Sequence, residues 1–216
     1  MITRRELLAT PLFAAQIRAQ DRVSAGSEAE SALSGLMEGN RRFAQSMARH
    51  PDQSAGLRMT LSTGQHPFAT VLTCSDSRVA PELVFDQGLG DLFVIRVAGN
   101  ILDDAVVGSV EYAAVHLGVP LVFVLGHQNC GAVQAALGEQ PQAHIRTLAA
   151  AIRPAVSTMR TMPGDLLDNA VRANVKLVVE QLTTSKPVLA NRIRTGKLMI
   201  AGGRHDLGTG EVARIG

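Results

Sequence analysis

Apolar residues in this chain fall in short, bounded runs separated by stretches with helical spacing. Pro67 introduces Phe68 to Thr73, an apolar, β-branched run short enough for a buried strand. Leu92 to Val97 is a second such run, Leu121 to Leu125 a third that ends in Gly126-His127, and Leu198 to Ala201 a fourth. Between them the period changes. Leu33, Leu36, Met37, Phe43 and Met47 predict a helix from Ala29 to Arg49. His50-Pro51 should stop it, because a residue before proline avoids the α region. Ala105 to Leu117 reads as a helix ended by Gly118-Val119-Pro120. Further helices are expected from Asn129 to Leu137, from Asp165 to Leu182 with Asp165 near the N-cap, and from Pro187 to Thr195. Strands alternating with helices define an α/β class with a parallel-core β-sheet flanked by helices. The first helix precedes the sheet and has an apolar face of its own, so it is expected to pack on a partner subunit. Gly208-Thr209-Gly210 lacks the strand-to-helix setting of a phosphate loop and reads as a hairpin turn.

Composition narrows the class. A chain of 216 residues with 46% apolar content suits one packed domain and argues against disorder. Aromatic content is 3% with no Trp, a poor inventory for stacking on nucleic-acid bases. Net charge is +2 with the signs interspersed, so no nucleic-acid footprint is present. No run approaches the ~18 apolar residues of a membrane-spanning helix. The start of the chain stands apart. Thr3-Arg4-Arg5-Glu6-Leu7-Leu8 is twin-arginine-like, a weakly apolar stretch continues to Ile17, and Ala15 or Ala19 could precede a cleavage point. Residues 1–26 therefore read as an export signal and linker, and 27–216 as a single domain. A periplasmic or exported location follows. The alternative is a cytoplasmic protein that begins with a frayed amphipathic helix.

Candidate chemistry concentrates at two strand ends. Cys74-Ser75-Asp76-Ser77-Arg78 follows the first strand, and His127-Gln128-Asn129-Cys130 closes the third. Those cysteines are the only 2 in the chain. Two thiolates, an imidazole and a carboxylate make a complete tetrahedral zinc set. Lone cysteines are otherwise small buried apolar residues, and either segment alone is an ordinary strand end. Both segments together carry the reading, because function in an open parallel sheet collects outside the carboxyl ends of the strands. One zinc ion (Zn2+) per chain is expected. Cys74, His127 and Cys130 would be permanent ligands, with Asp76 or a solvent molecule in the fourth position. The first and third strands should then be neighbours, ~4.8 Å apart. Arg78 is placed to hold the Asp76 carboxylate by paired hydrogen bonds.

These segments resemble the β-class carbonic anhydrases. CSDSR (74–78), GDLFVIRVAGN (90–100), SVEYAAVHLGV (109–119) and VLGHQNCGAV (124–133) carry the resemblance, with weaker matches at GLMEGNRRF (35–43) and DLGTGEV (206–212). It extends over residues 30–216. The resemblance implies reversible hydration of carbon dioxide to bicarbonate and a proton. It also implies a homodimer or larger homo-oligomer whose cleft lies at the subunit interface. In the active state Arg78 would draw Asp76 off the metal, and the freed carboxylate would orient the activated water. On the substrate side, Gln65, nine positions before Cys74, would donate its amide to the developing bicarbonate. Phe93 and Tyr112 would form an apolar wall, Ala98 a small wall position, and the Gly131 N–H a donor to developing negative charge. One subgroup has a Trp three residues before the first cysteine, at an inhibitory bicarbonate site. Val71 stands there in this chain, so the paired Asp76–Arg78 arrangement is expected and Arg96 is read as structural. His116 reads as a core residue and His205 as a candidate proton shuttle. Two other readings share the motif: a hydrolase of carbon disulfide or carbonyl sulfide (CS2 or COS), and a non-catalytic zinc-stabilised scaffold.

Overall fold

The computed structural model describes residues 28–138, 143–157 and 159–216. The expected export signal and linker, residues 1–26, lie outside the described residues. Five strands form one sheet: β1 (Ala69–Thr73), β2 (Leu92–Arg96), β3 (Leu121–His127), β4 (Met199–His205) and β5 (Val212–Ile215). Their order is β2-β1-β3-β4-β5, parallel throughout except for the antiparallel β4–β5 pair. β1 and β3 are buried along their whole length, as uninterrupted apolar runs require when helices cover both faces. The chain steps from β1 outward to β2 and then returns to the other side of β1 as β3. That reversal is the switch point at which an open parallel sheet leaves a crevice at its carboxyl edge.

Eight helices flank the sheet among the described residues: α1 (28–44), α2 (Ala55–Leu61), α3 (Pro81–Val84), α4 (Asp104–His116), α5 (Gly131–Leu137), α6 (Ile145–Val156), α7 (Leu166–Thr184) and α8 (Val188–Arg194). No helix among the described residues is long and apolar enough to cross a membrane. Alternate strand residues point to opposite faces. Val71, Phe123 and Leu125 pack in one core cluster with Ala32, Leu33 and Leu36 of α1. Leu72, Val122 and Val124 pack in another with Val110 of α4 and Val178 and Leu182 of α7. The side chains of Asp103 and Asp165 cap α4 and α7, each accepting a backbone N–H at 2.8 Å.

Ala32, Leu33 and Leu36 of α1 pack on this chain's own sheet, with Leu36 fully buried in the core. One expectation about α1 changes, because it ends at residue 44, before His50-Pro51 is reached. The cause is a long-range competitor. The buried Asp86 carboxylate accepts the Arg49 and His50 N–H groups, each at 2.9 Å, and the Arg42 Nε at 2.6 Å. Those two amides are thereby satisfied outside the helix, and Ser46 turns the chain with φ 56°. Helices α2, α3 and α6 are additions to the predicted pattern. β4 runs four residues beyond Ala201, through Gly202-Gly203 to His205. Glycines carry no apolar signal, yet here they are required. A Cβ at Gly126 or Gly202 would lie 2.6 Å from a methyl of Val175. Bare backbone at β3 and β4 therefore lets α7 sit unusually close to the sheet.

Candidate metal centre

Parallel pairing of β1 with β3 sets the site. Thr73 is in register with Leu125, so the residues just beyond both strands emerge at the same edge. Cys74 follows β1, His127 closes β3, and Cys130 is the N-cap residue of α5. Ligand atoms of Cys74, His127 and Cys130 all lie within 4.8 Å of one another, and all three residues are buried. The two sulfurs are 4.0 Å apart.

The donor set fits a metal ion. His127 Nδ1 lies 2.9 Å from the Gln128 carbonyl oxygen. A carbonyl can only accept, so Nδ1 carries the proton and Nε2 presents a lone pair. Nε2 is buried with no hydrogen-bond partner. Leaving such a group unpaired costs about 1–3 kcal/mol, whereas a cation would use it. The thiols agree with this. The neighbouring Cys130 thiol holds Cys74 well below the usual thiol range, and the Gly99 N–H, 3.2 Å from the Cys74 sulfur, adds to the effect. Cys74 and burial together push Cys130 up. Without a cation the pair favours a single thiolate; a dication favours both.

Asp76 stands beside this group and is held by Arg78. Arg78 Nε lies 2.9 Å from Oδ1 and Nη2 lies 2.7 Å from Oδ2, a bidentate pair, and the Arg78 backbone N–H adds a third contact at 3.0 Å. These bonds hold the Asp76 carboxyl far below the usual carboxylate range. Its Oδ2 is 3.8 Å from His127 Nε2. Arg96 fixes the turn from behind, donating to the Cys74 carbonyl at 3.2 Å and the Asp76 carbonyl at 2.7 Å. Val71, in place of a bulky indole, is fully buried in the core.

The expected substrate side is only partly assembled in one chain. Phe93 on β2 and Tyr112 on α4 have ring centroids 6.1 Å apart, and Tyr112 continues to His116 at 5.2 Å. His116 is exposed on this stack and is not a core residue. Ala98 is half-buried at the start of a short 3-10 turn, and Gly131 is the exposed first residue of α5. Gln65 is exposed in the loop before β1.

His205 is the buried histidine instead. It pairs in register with His127, and neither of its ring nitrogens has a hydrogen-bond partner. Burial pushes its pKa from 6.5 down to about 4, so it stays neutral and lacks the exposure a proton shuttle needs. The unfolded chain would take up a proton here from about 6.5 downward, and the folded chain would not until about 4. Stability is therefore complete above that window and declines as pH falls through it. Urea midpoints measured across the window should fall less steeply for His205→Gln than for wild type. Equal slopes would assign the acid loss to other groups.

Two residues tied to the centre have no role in the sequence reading: Gly99, inside the GDLFVIRVAGN segment, and Asn174, outside every motif. Gly99 bonds the Cys74 sulfur, and Asn174 bonds Gly99. The only sequence signal for Asn174 is a polar residue inside the apolar stripe of α7, between Val171 and Val175.

A sheet of this order with a Cys-His-Cys group at its switch point defines an α/β protein with a set of donors that could hold a metal ion. Residues 69–212 match the family model described as carbonic anhydrase. Carbonic anhydrase 2 of Mycobacterium tuberculosis is 42% identical over 185 residues, 83% of this chain and 89% of that protein. The Coccomyxa β-carbonic anhydrase structure, solved with acetazolamide, is 27% identical with a TM-score of 0.69, covering 85% of this chain and 86% of that one. The fold is also that of a tetrameric β-carbonic anhydrase of Sordaria macrospora, with a TM-score of 0.70 at 24% identity over 76% of this chain and 88% of that one. The chain belongs to the β-class carbonic anhydrase family.

Proposed function

We propose that this chain is a zinc enzyme that interconverts carbon dioxide and water with bicarbonate and a proton. One observation carries the reading: an unpartnered His127 Nε2 grouped with two buried thiols, beside a carboxylate held by Arg78. Cys74, His127 and Cys130 would hold the zinc, and Asp76, engaged by Arg78, would leave the fourth position to water. When bound, zinc supplies a water activated near neutral pH.

Asp76 acts as an acceptor. Its carboxylate would accept a hydrogen bond from a water held there and so orient that water toward the substrate. Arg78 fixes the carboxylate plane through two parallel bonds. Arg78 holds the Asp76 carboxyl far below the usual carboxylate range, so Asp76 would serve as an ionised acceptor that orients the water. Phe93, Ala98 and Tyr112 form the apolar wall suited to a small neutral substrate, with the Gln65 amide and the Gly131 N–H as donors to the product anion. Exposed Gln65 and Tyr112 fit a cleft completed by a second subunit, so the working unit is at least a homodimer. Export by the twin-arginine-like segment at Arg4-Arg5 belongs to the same proposal. Light scattering of the purified protein and mass spectrometry of its native N-terminus check these two points.

Stopped-flow hydration assays with a metal count test the activity. Rapid carbon dioxide turnover with about one zinc per chain is the expected result. Turnover restricted to carbon disulfide or carbonyl sulfide, or full zinc with no turnover, would reject it.

A further inference from the structure

We propose that Asn174 is a positioning residue for the metal centre, acting through the Gly99 peptide to aim a backbone N–H at the Cys74 sulfur. The proposal rests on the metal reading above. Asn174 lies on α7 and is 1% exposed. Its Nδ2 donates to the Gly99 carbonyl at 2.8 Å, a contact that spans 75 positions of sequence. Gly99 in turn donates its N–H to Cys74 Sγ at 3.2 Å. The glycine is thus clamped at both ends, by the amide on its carbonyl and by the sulfur on its N–H.

Local geometry leaves this residue little other freedom. Gly99 has φ 74°, in the left-handed region that favours glycine. A Cβ there would sit 2.7 Å from Ile152 Cδ1 and 3.0 Å from the Ala132 methyl. Only φ and ψ separate the two bonded groups, so holding the carbonyl narrows the range of directions in which the N–H can point. Asn174 reaches it because its neighbour Val175 is seated against the bare backbone of Gly126 and Gly202.

Packing does not explain the amide. Asn174 Oδ1 is buried without a partner. A half-satisfied amide in an apolar stripe is costly, and Leu would fill the space without that cost. The Nδ2 bond to Gly99 is what Asn supplies and Leu cannot. An N–H bonded to a thiolate draws charge from the sulfur and orients its lone pairs. Groups of this kind typically change metal affinity 10- to 100-fold, and such a range is expected here.

The test uses the full chain loaded with cobalt(II), whose thiolate charge-transfer band reports the sulfur's electron density. Asn174→Leu should move that band to longer wavelength. Zinc release to a chelator should also become about tenfold faster. Asn174→Ala, which only removes atoms, decides the matter if the Leu variant does not fold. A folded variant with the wild-type band and release rate would overturn the proposal, even if its unfolding midpoint dropped. Absence of any thiolate band in the wild type would instead sink the metal reading itself.

Discussion

Cys74→Ser, His127→Ala and Cys130→Ser proteins will purify with far less than one zinc per chain and will unfold at lower denaturant concentration than wild type. The reason is linkage. An ion that binds only the folded state adds its binding free energy to folding, about 2.7 kcal/mol when its free concentration is 100 times its dissociation constant. Each substitution also removes a donor from a buried group whose members lie within 4.8 Å of one another, so the remaining two cannot close a tetrahedral site. A chelator separates this effect from damage to packing. It should lower the wild-type midpoint toward that of the variants and leave the variants where they are. Wild-type zinc content in any of the three would remove that residue from the ligand set.

Asp76→Asn and Arg78→Ala will keep their zinc and lose carbon dioxide hydration by about 100-fold or more, the usual scale for a group that handles the reacting proton. The two substitutions fail differently. Asn at 76 keeps the shape but turns one acceptor oxygen into a donor, so the water loses its orienting partner. Ala at 78 removes the bidentate clamp at 2.7 and 2.9 Å and leaves a carboxylate whose Oδ2 is 3.8 Å from His127 Nε2. That carboxylate can then take the fourth metal position. Arg78→Ala should accordingly hold zinc at least as tightly as wild type while being inactive. Zinc analysis beside stopped-flow rates checks both. Full activity in either variant ends the assigned role.

What could be read from the chain was what depends on local pattern. β1 and β3 show as continuous apolar runs because both of their faces are covered. Cys74, His127 and Cys130 fall at strand ends, and their pairing forced β1 beside β3. Asp165 stood out as a cap because its partner is three residues away. Features decided by distant partners were hidden. The end of α1 is set by Asp86, more than thirty residues on. The far half of β4 depends on glycines that only α7 explains. The fates of His116 and His205 were exchanged, because helical spacing marks a face without saying which neighbours cover it. Asn174 looked like a blemish in an apolar stripe, since its partner Gly99 belongs to another element.

The order β2-β1-β3 also bears on when the centre can exist during folding. The two sulfurs are 56 positions apart and meet where β3 lies beside β1, with β2 and α4 in the intervening chain. Parallel pairing of such distant segments is slow, because loop closure precedes any reward from contact. On the proposed zinc reading, metal capture is expected to follow the docking of β3 beside β1. Zinc should leave the refolding rate unchanged and slow unfolding, so the ion lengthens the lifetime of the native state without hastening its arrival.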